Sequence, residues 1–78
     1  MNYTNIVIEA IAKLIKKSTT DIFITDSLQD DLQLDSLDIV ELLMDIEDEL
    51  IQDLDAATFE NCKTVSDLIN ILKKREVI

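Results

Sequence analysis

Residues 36 to 50 form the most strongly patterned stretch of this sequence, because apolar side chains recur there at helical spacing on two flanks. An α-helix turns by about 100° per residue. With that rotation, the first flank holds four aliphatic residues, Ile39, Leu43, Ile46 and Leu50, with Leu42 beside them. The second flank holds Leu37, Val40, Met44 and Ile51. A helix that lies on a small core needs only one apolar stripe, so the two flanks should differ in burial.

We interpret the first flank as the side of the helix that faces the core. Leu37, Val40 and Met44 on the second flank are then expected to stay partly exposed, next to the carboxylates of the same helix. An apolar patch with a charged rim is typical of a protein-binding surface. The alternative is that neighbouring helices bury both flanks.

The start of this helix is marked by Asp35, Ser36 and Leu37. Asp35 is a good N-cap residue, because its carboxylate can accept hydrogen bonds from free backbone N–H groups of the first turn. Asp38 adds a second acid where the helix dipole favours one. Ser36 occupies the first helical position, where an attached phosphate would be stabilised. A serine at a helix start is also common without any function.

The rest of the chain predicts an all-α domain, a single four-helix bundle that covers residues 1–78 with three longer helices and one short one. Apolar residues at helical spacing predict long helices over residues 3–17 and 65–75. A short helix is expected near residues 55–60. A chain of 78 residues can form one small core but no enclosed active-site cleft.

The chain contains neither glycine nor proline, so its turns and caps must use asparagine, aspartate, serine or threonine. Asn2 or Thr4 could cap the first helix. Thr64, followed three residues later by Asp67, approximates a capping box for the last helix.

A long connection is expected over residues 18–35. Its apolar residues, Ile22, Phe23, Ile24 and Leu28, should attach it to the core, and one helical turn is expected near residues 27–31. A connection of this length is unusual in a helical bundle and often has a function.

The charge is strongly acidic and unevenly distributed. The net charge is −10, and no lysine or arginine occurs between Ser18 and Cys62. Nucleic acids and anionic membranes would be repelled, so neither is an expected partner. Basic protein surfaces are the complementary partners.

Several kinds of chemistry are excluded or disfavoured. The chain has no histidine, so Ser36 lacks a conventional base and self-contained catalysis is not expected. The spacing and glycine of an EF-hand are absent, so no metal site is predicted. Cys62 is the single cysteine and is interpreted as a core residue. Without a signal peptide or membrane-spanning run, the expectation is a soluble, cytoplasmic monomer.

The stretch LQLDSLDIVELLMDIEDEL resembles the signature region of acyl carrier proteins, in which leucine, glycine and a variable residue precede Asp-Ser-Leu and an acidic helix. Chain length, helix spacing and the helix start at Thr64 and Val65 also fit. The resemblance implies that Ser36 carries 4′-phosphopantetheine, which a phosphopantetheinyl transferase attaches from coenzyme A with Mg²⁺. Asp35 would help to position that metal. The arm would then hold acyl groups as thioesters and move them between enzymes.

The resemblance also implies a surface that binds partner enzymes through their lysines and arginines. Its acidic members would be Asp35, Asp38, Glu41, Glu47 and Asp48, and its apolar members would be Leu37, Val40 and Met44. The implied partners are the transferase and the acyl-synthesising and acyl-transferring enzymes of fatty acid or related biosynthesis.

The sequence departs from the family pattern in two places. Gln33 stands where glycine is usual, and the proline common before the short helix is missing. Gln33 raises the prospect of altered loop geometry and of a specialised carrier with dedicated partners. Two alternatives stay open: a carrier of amino acids or peptides, such as D-alanine, and an unmodified acidic adaptor for a basic protein surface.

Overall fold

The computed structural model describes residues 2–50, 59 and 61–75. Three α-helices are formed in these ranges: α1 spans Tyr3–Ile15, α2 spans Ser36–Leu50 and α3 spans Val65–Arg75. A 3₁₀ turn at Thr19–Asp21 follows α1 and is not among the elements that the sequence predicts. In the described ranges the only β-type pairing is an isolated antiparallel bridge between Ser27 and Thr64. The all-α class is therefore confirmed.

The predicted short helix near residues 55–60 lies outside the described residues, except for Phe59. The side chain of Phe59 is buried and belongs to the hydrophobic core. Ile51, assigned to the second flank of the central helix, also lies outside the described residues.

α1 begins and ends with hydrogen bonds that need no glycine. The Asn5 N–H donates to the Asn2 side chain at 3.1 Å, so Asn2 is the N-cap of α1. Asn2 is one of the two residues that the sequence predicts for this role. At the other end Lys16 adopts a left-handed conformation with φ of 58°, and the Lys17 N–H donates to the Ala12 carbonyl at 3.0 Å. This closing turn ends the helix two residues before the predicted boundary.

The core lies between the three helices, with α1 packed against both α2 and α3. Each helix contributes one face of mostly aliphatic side chains. The buried members are Tyr3, Val7, Ile11 and Ala12 from α1, Leu42, Leu43, Ile46 and Leu50 from α2, and Val65, Leu68, Ile69 and Leu72 from α3. Burial of such side chains is the main stabilising contribution in a chain that repels itself electrostatically.

The connection over residues 18–35 is attached to the core through Ile22, Leu28 and Leu34, which are all buried. Its backbone is also bonded to the start of α3. The Val65 and Ser66 N–H groups donate to the carbonyls of Asp26 and Ile24 at 3.1 and 2.8 Å.

Further along the connection, the Leu28 N–H donates to the Lys63 carbonyl at 2.8 Å. The expected turn near residues 27–31 is present as a hydrogen bond from the Asp31 N–H to the Ser27 carbonyl at 3.1 Å. The connection is thus a structured loop, fixed at the start of α3.

Phe23 and Ile24 do not pack on the core, and that part of the prediction is wrong. Phe23 is 61% exposed and Ile24 is 45% exposed. The backbone is extended at Ile22, with φ of −112° and ψ of 126°. Successive side chains of an extended segment point to opposite sides, so the burial of Ile22 directs Phe23 to solvent. The alternation does not continue to Ile24, because a turn begins at that residue.

The start of α3 is held by the capping box that the sequence predicts. The Asp67 N–H donates to the Thr64 Oγ1 at 3.2 Å, and the Asp67 Oδ2 accepts from the N–H groups of Lys63 and Thr64 at 3.0 and 3.1 Å. These backbone hydrogen bonds, first from Lys63 and then from Thr64, lower the pKa of the Asp67 carboxyl. The ionised form is therefore the one that stabilises the helix start.

We expect Asp67→Asn to lower the free energy of unfolding at neutral pH. A carboxyl whose pKa is lower in the folded state stabilises the protein above its unfolded pKa, about 3.9, and loses that effect as the pH falls through the folded value. The difference between wild type and variant should therefore shrink below about pH 4. Urea unfolding at a series of pH values measures it. Glu41→Gln, which removes an exposed charge, is the control, and an equal loss in that variant would contradict the assignment to the cap.

Candidate functional site

The start of α2 is held by a reciprocal pair of hydrogen bonds. The Asp38 N–H donates to the Asp35 Oδ1 at 2.8 Å, and the Asp35 N–H donates to the Asp38 Oδ2 at 3.1 Å. The predicted N-cap role of Asp35 is confirmed. The hydrogen bond from the Asp35 N–H back to the Asp38 carboxylate is not among the sequence predictions, although an acid three residues after an N-cap has the spacing of a capping box. Both carboxylates thus fix the backbone on either side of Ser36.

Ser36 is exposed at the first position of this 15-residue helix. The Ile39 N–H donates to the Asp35 carbonyl at 3.0 Å, which begins the helical hydrogen bonding around the serine. An accessible hydroxyl at the N-terminus of a long helix can be reached by another protein, and a phosphate attached to it would be stabilised by the helix dipole. The chain has no histidine, which is the usual base for a serine nucleophile.

The two flanks of α2 differ in burial as predicted. Leu42, Leu43, Ile46 and Leu50 are buried, and Ile39 is partly buried against the core. On the other flank Leu37 is 78% exposed, Val40 is 45% exposed and Met44 is 59% exposed. For the described side chains, the alternative that both flanks are buried is wrong.

Carboxylates border the exposed apolar residues of α2. Glu41 and Asp48 are exposed, whereas Asp38 and Glu47 are half-buried. Asp35, at the start of the helix, is exposed as well. We call Leu37, Val40 and Met44, together with these carboxylates, the α2 surface. It combines exposed apolar area with negative charge along the helix that Ser36 begins.

Gln33 adopts the left-handed conformation that glycine favours, with φ of 56°. The next residue, Leu34, is buried, and its N–H donates to the Leu28 carbonyl at 2.8 Å. The left-handed turn therefore brings Leu34 into the core and leads the chain into Asp35. A residue with a β-carbon is disfavoured in this conformation by roughly 1–2 kcal/mol. The position thus has a physical reason to prefer glycine, and Gln33 keeps the turn at a cost in stability.

Cys62 is half-buried and packs against the core, as predicted. Burial, and secondarily the negative charge of Asp67, raise the pKa of the Cys62 thiol to about 11. Such a thiol is protonated at neutral pH and is a poor nucleophile. Within the part of the chain that the structure describes, no group of three or more potential metal ligands is found. Nor is any described helix long and apolar enough to span a membrane.

Comparison with known proteins gives one family and several relatives. A family described as "Phosphopantetheine attachment site" matches residues 5–72. The acyl carrier protein of Exiguobacterium sibiricum is 39% identical over 65 residues, which are 83% of this chain and 82% of that protein. The acyl carrier proteins of Rickettsia canadensis and Rickettsia typhi are each 40% identical over 70 residues, which are 90% of this chain and 81% of theirs.

Gln33→Gly should raise the free energy of unfolding by roughly 1 kcal/mol, because glycine adopts the left-handed conformation without steric cost. Gln29→Gly is a matched control, since Gln29 is exposed and is not among the described residues with positive φ. It should lower the free energy of unfolding by roughly 0.5 kcal/mol through the added freedom of the unfolded chain. Urea unfolding measures both, and a loss of stability in Gln33→Gly would show that the left-handed turn is not strained.

Proposed function

Because the chain belongs to the acyl carrier protein family and so holds covalent 4′-phosphopantetheine, we propose that Ser36 is the attachment point. The observation that supports this choice is an exposed hydroxyl at the first position of α2, fixed by the capping box of Asp35 and Asp38. The bound group supplies a terminal thiol that holds acyl groups as thioesters. The protein is a carrier, a substrate of a transferase and not a catalyst.

The residues around Ser36 fit an attached phosphodiester. The side chain is exposed, so a long arm can leave the surface without displacing core residues. The backbone N–H groups and the dipole of α2 favour negative charge at this end. The carboxylates of Asp35 and Asp38 oppose it, but each accepts a hydrogen bond from a backbone N–H of the same turn, which offsets part of their charge.

Attachment makes Ser36 the nucleophile of a reaction that a transferase catalyses. The Ser36 Oγ forms a bond to the phosphorus next to the pantetheine of coenzyme A, the pyrophosphate bond breaks, and adenosine 3′,5′-bisphosphate leaves. The hydroxyl proton goes to a base of the transferase, since this chain has no histidine. Asp35 uses Oδ1 to cap α2, and its Oδ2 has no hydrogen bond to the described residues. We assign that oxygen to help position the Mg²⁺ of the reaction.

The α2 surface is proposed to bind the enzymes that act on the carried group. Leu37, Val40 and Met44 supply exposed apolar area, and Glu41 with the neighbouring acids supplies a negative rim. Partners with lysine and arginine around an apolar contact would be attracted rapidly and released readily. Each exposed ion pair is worth roughly 0–1 kcal/mol, which suits a carrier that must leave one enzyme for the next.

The carried groups are proposed to be acyl intermediates of fatty acid or related biosynthesis in the cytoplasm. The relatives named acyl carrier proteins favour this cargo over amino acids. A carrier of amino acids, such as D-alanine, would share Ser36 and the fold, and loading by an amino-acid-adenylating enzyme rather than by a malonyl transferase would identify it. An unmodified acidic adaptor would keep its function in Ser36→Ala.

Incubation with coenzyme A, Mg²⁺ and a purified phosphopantetheinyl transferase should add one phosphopantetheine to the wild type and none to Ser36→Ala. Intact-mass measurement on initially unmodified protein detects the addition. Ser66→Ala is the matched control, since Ser66 also lies in the first turn of a helix, α3, and this variant should be modified like the wild type. Modification of Ser36→Ala would place the attachment elsewhere.

Glu41→Lys and Met44→Ala should slow acyl transfer to or from the modified protein several-fold, because each change removes roughly 1 kcal/mol of contact at the α2 surface. Both side chains are exposed, so thermal unfolding should change little. Transfer rates with a purified malonyl transferase measure the effect. Glu9→Lys on α1 makes the same charge change on an exposed residue and should transfer normally. Wild-type rates in both α2 variants would remove this surface from the assignment.

A further inference from the structure

Two exposed apolar side chains, Phe23 and Ile24, lie outside the α2 surface. The backbone that bears them is fixed by the bond from the Phe23 N–H to the Asp26 Oδ2, at 2.9 Å, and by the bond between Ile24 and Ser66 at the start of α3. The backbone is therefore fixed in a course that leaves both side chains exposed. Large apolar groups kept exposed on a fixed backbone are typical of a contact surface.

Phe23 lines an open surface groove of about 520 Å³. The apolar residues described in its lining are Ile15, Phe23 and Leu32. The charged residues described in its lining are Lys17, Asp21, Asp26 and Asp31. We call this depression the connection groove. Its described lining combines an apolar part with an excess of negative charge.

The charge of the groove selects among possible occupants. A second copy of this chain would bring another net charge of −10 against the aspartates and would be repelled. An anionic lipid surface is disfavoured for the same reason. The complementary occupant is a protein surface with an apolar side chain that can contact Phe23 and with lysine or arginine around it.

The groove lies close to Ser36 along the chain. Gln33 lines the groove, and its Cα can be at most about 11 Å from that of Ser36, three residues later. A standard protein interface covers about 800 Å² on each partner, which is a disc of about 16 Å radius. An interface centred on Ser36 would therefore reach the wall of the groove at Gln33.

The chemistry of attachment indicates which enzyme would need an interface at this position. The transferase must bring its reacting groups to the Ser36 Oγ itself, so its footprint is centred there. Enzymes that act later meet the end of a long arm and can bind farther away. The transferase is thus the partner whose footprint would reach the wall of the connection groove at Gln33.

We propose that the connection groove is a docking surface for the phosphopantetheinyl transferase that modifies Ser36, with an apolar contact at Phe23 and a cation near Asp21. The proposal rests on the proposed function of Ser36. The groove contributes to binding of the transferase and takes no part in the chemical step. Its expected effect is therefore on KM and not on kcat.

The test is the modification of initially unmodified protein by a purified phosphopantetheinyl transferase with coenzyme A and Mg²⁺. Phe23→Ser and Asp21→Lys should each lower kcat/KM about fivefold or more through KM, as expected for loss of an apolar anchor or reversal of a rim charge. Glu49→Lys makes the same charge change at an exposed site outside the groove and should stay within about twofold of the wild type. Thermal unfolding shows that each variant is folded, and Asp21→Lys serves if Phe23→Ser is not.

Each other result overturns the proposal in its own way. Folded groove variants that are modified with wild-type kcat/KM show that the transferase does not use the groove. An equal loss in Glu49→Lys assigns the effect to net charge, and a loss in kcat alone assigns it to chemistry. Groove variants that are modified normally but fail in acyl transfer assign the groove to a later enzyme. A wild type that is not modified at all refutes the function of Ser36 instead, so the two failures are distinguishable.

Discussion

The hydrogen bonds between the long connection and the start of α3 determine where the chain enters α2. The carbonyls of Ile24 and Asp26 accept from Ser66 and Val65, and the Leu28 N–H donates to Lys63. Each such bond contributes roughly 0.5–1.5 kcal/mol. They satisfy two of the N–H groups that every helix start leaves free. From Leu28 the chain is bonded on to Leu34 and enters α2, so the placement of Ser36 depends on a segment that has no regular helix of its own.

The negative charge of the chain affects both its folding stability and its contacts with other proteins. Electrostatic repulsion within a chain of net charge −10 destabilises the folded state. Burial of an almost entirely aliphatic core stabilises the folded state and offsets that repulsion. No basic residue lies between Ser18 and Cys62, so the charged residues of the connection and α2 are all negative. Added salt should therefore have two opposite effects, since screening stabilises the folded chain and would weaken its contact with any positively charged protein surface.

Long periodic elements were predictable from the sequence, and irregular backbone was not. The bounds of α2 and α3 follow from spacing and from aspartate and threonine caps, and the structure reproduces them. The end of α1 did not follow, because Lys16 takes a left-handed conformation usually signalled by glycine. The run from Ile22 to Ile24 has no period that says which side chain faces the core. In the structure Ile22 is buried, and the carbonyls of Ile24 and Asp26 are bonded to α3. Such bonding between distant segments leaves no local pattern in the sequence.

Only part of the candidate site could be predicted from the sequence. Exposure of the second flank of α2 follows from its surplus of apolar residues, and the cap at Asp35 follows from residue type. The spacing of Asp35 and Asp38 is that of a capping box and signals their reciprocal bond, whereas the residue type of Gln33 gives no sign of its left-handed turn. The half-buried thiol of Cys62 has a chemical consequence as well. With a pKa of about 11, roughly one Cys62 thiol in ten thousand is ionised at neutral pH. A thiol that is almost wholly protonated is a weak nucleophile, so Cys62 would be slow to accept an acyl group from a thioester.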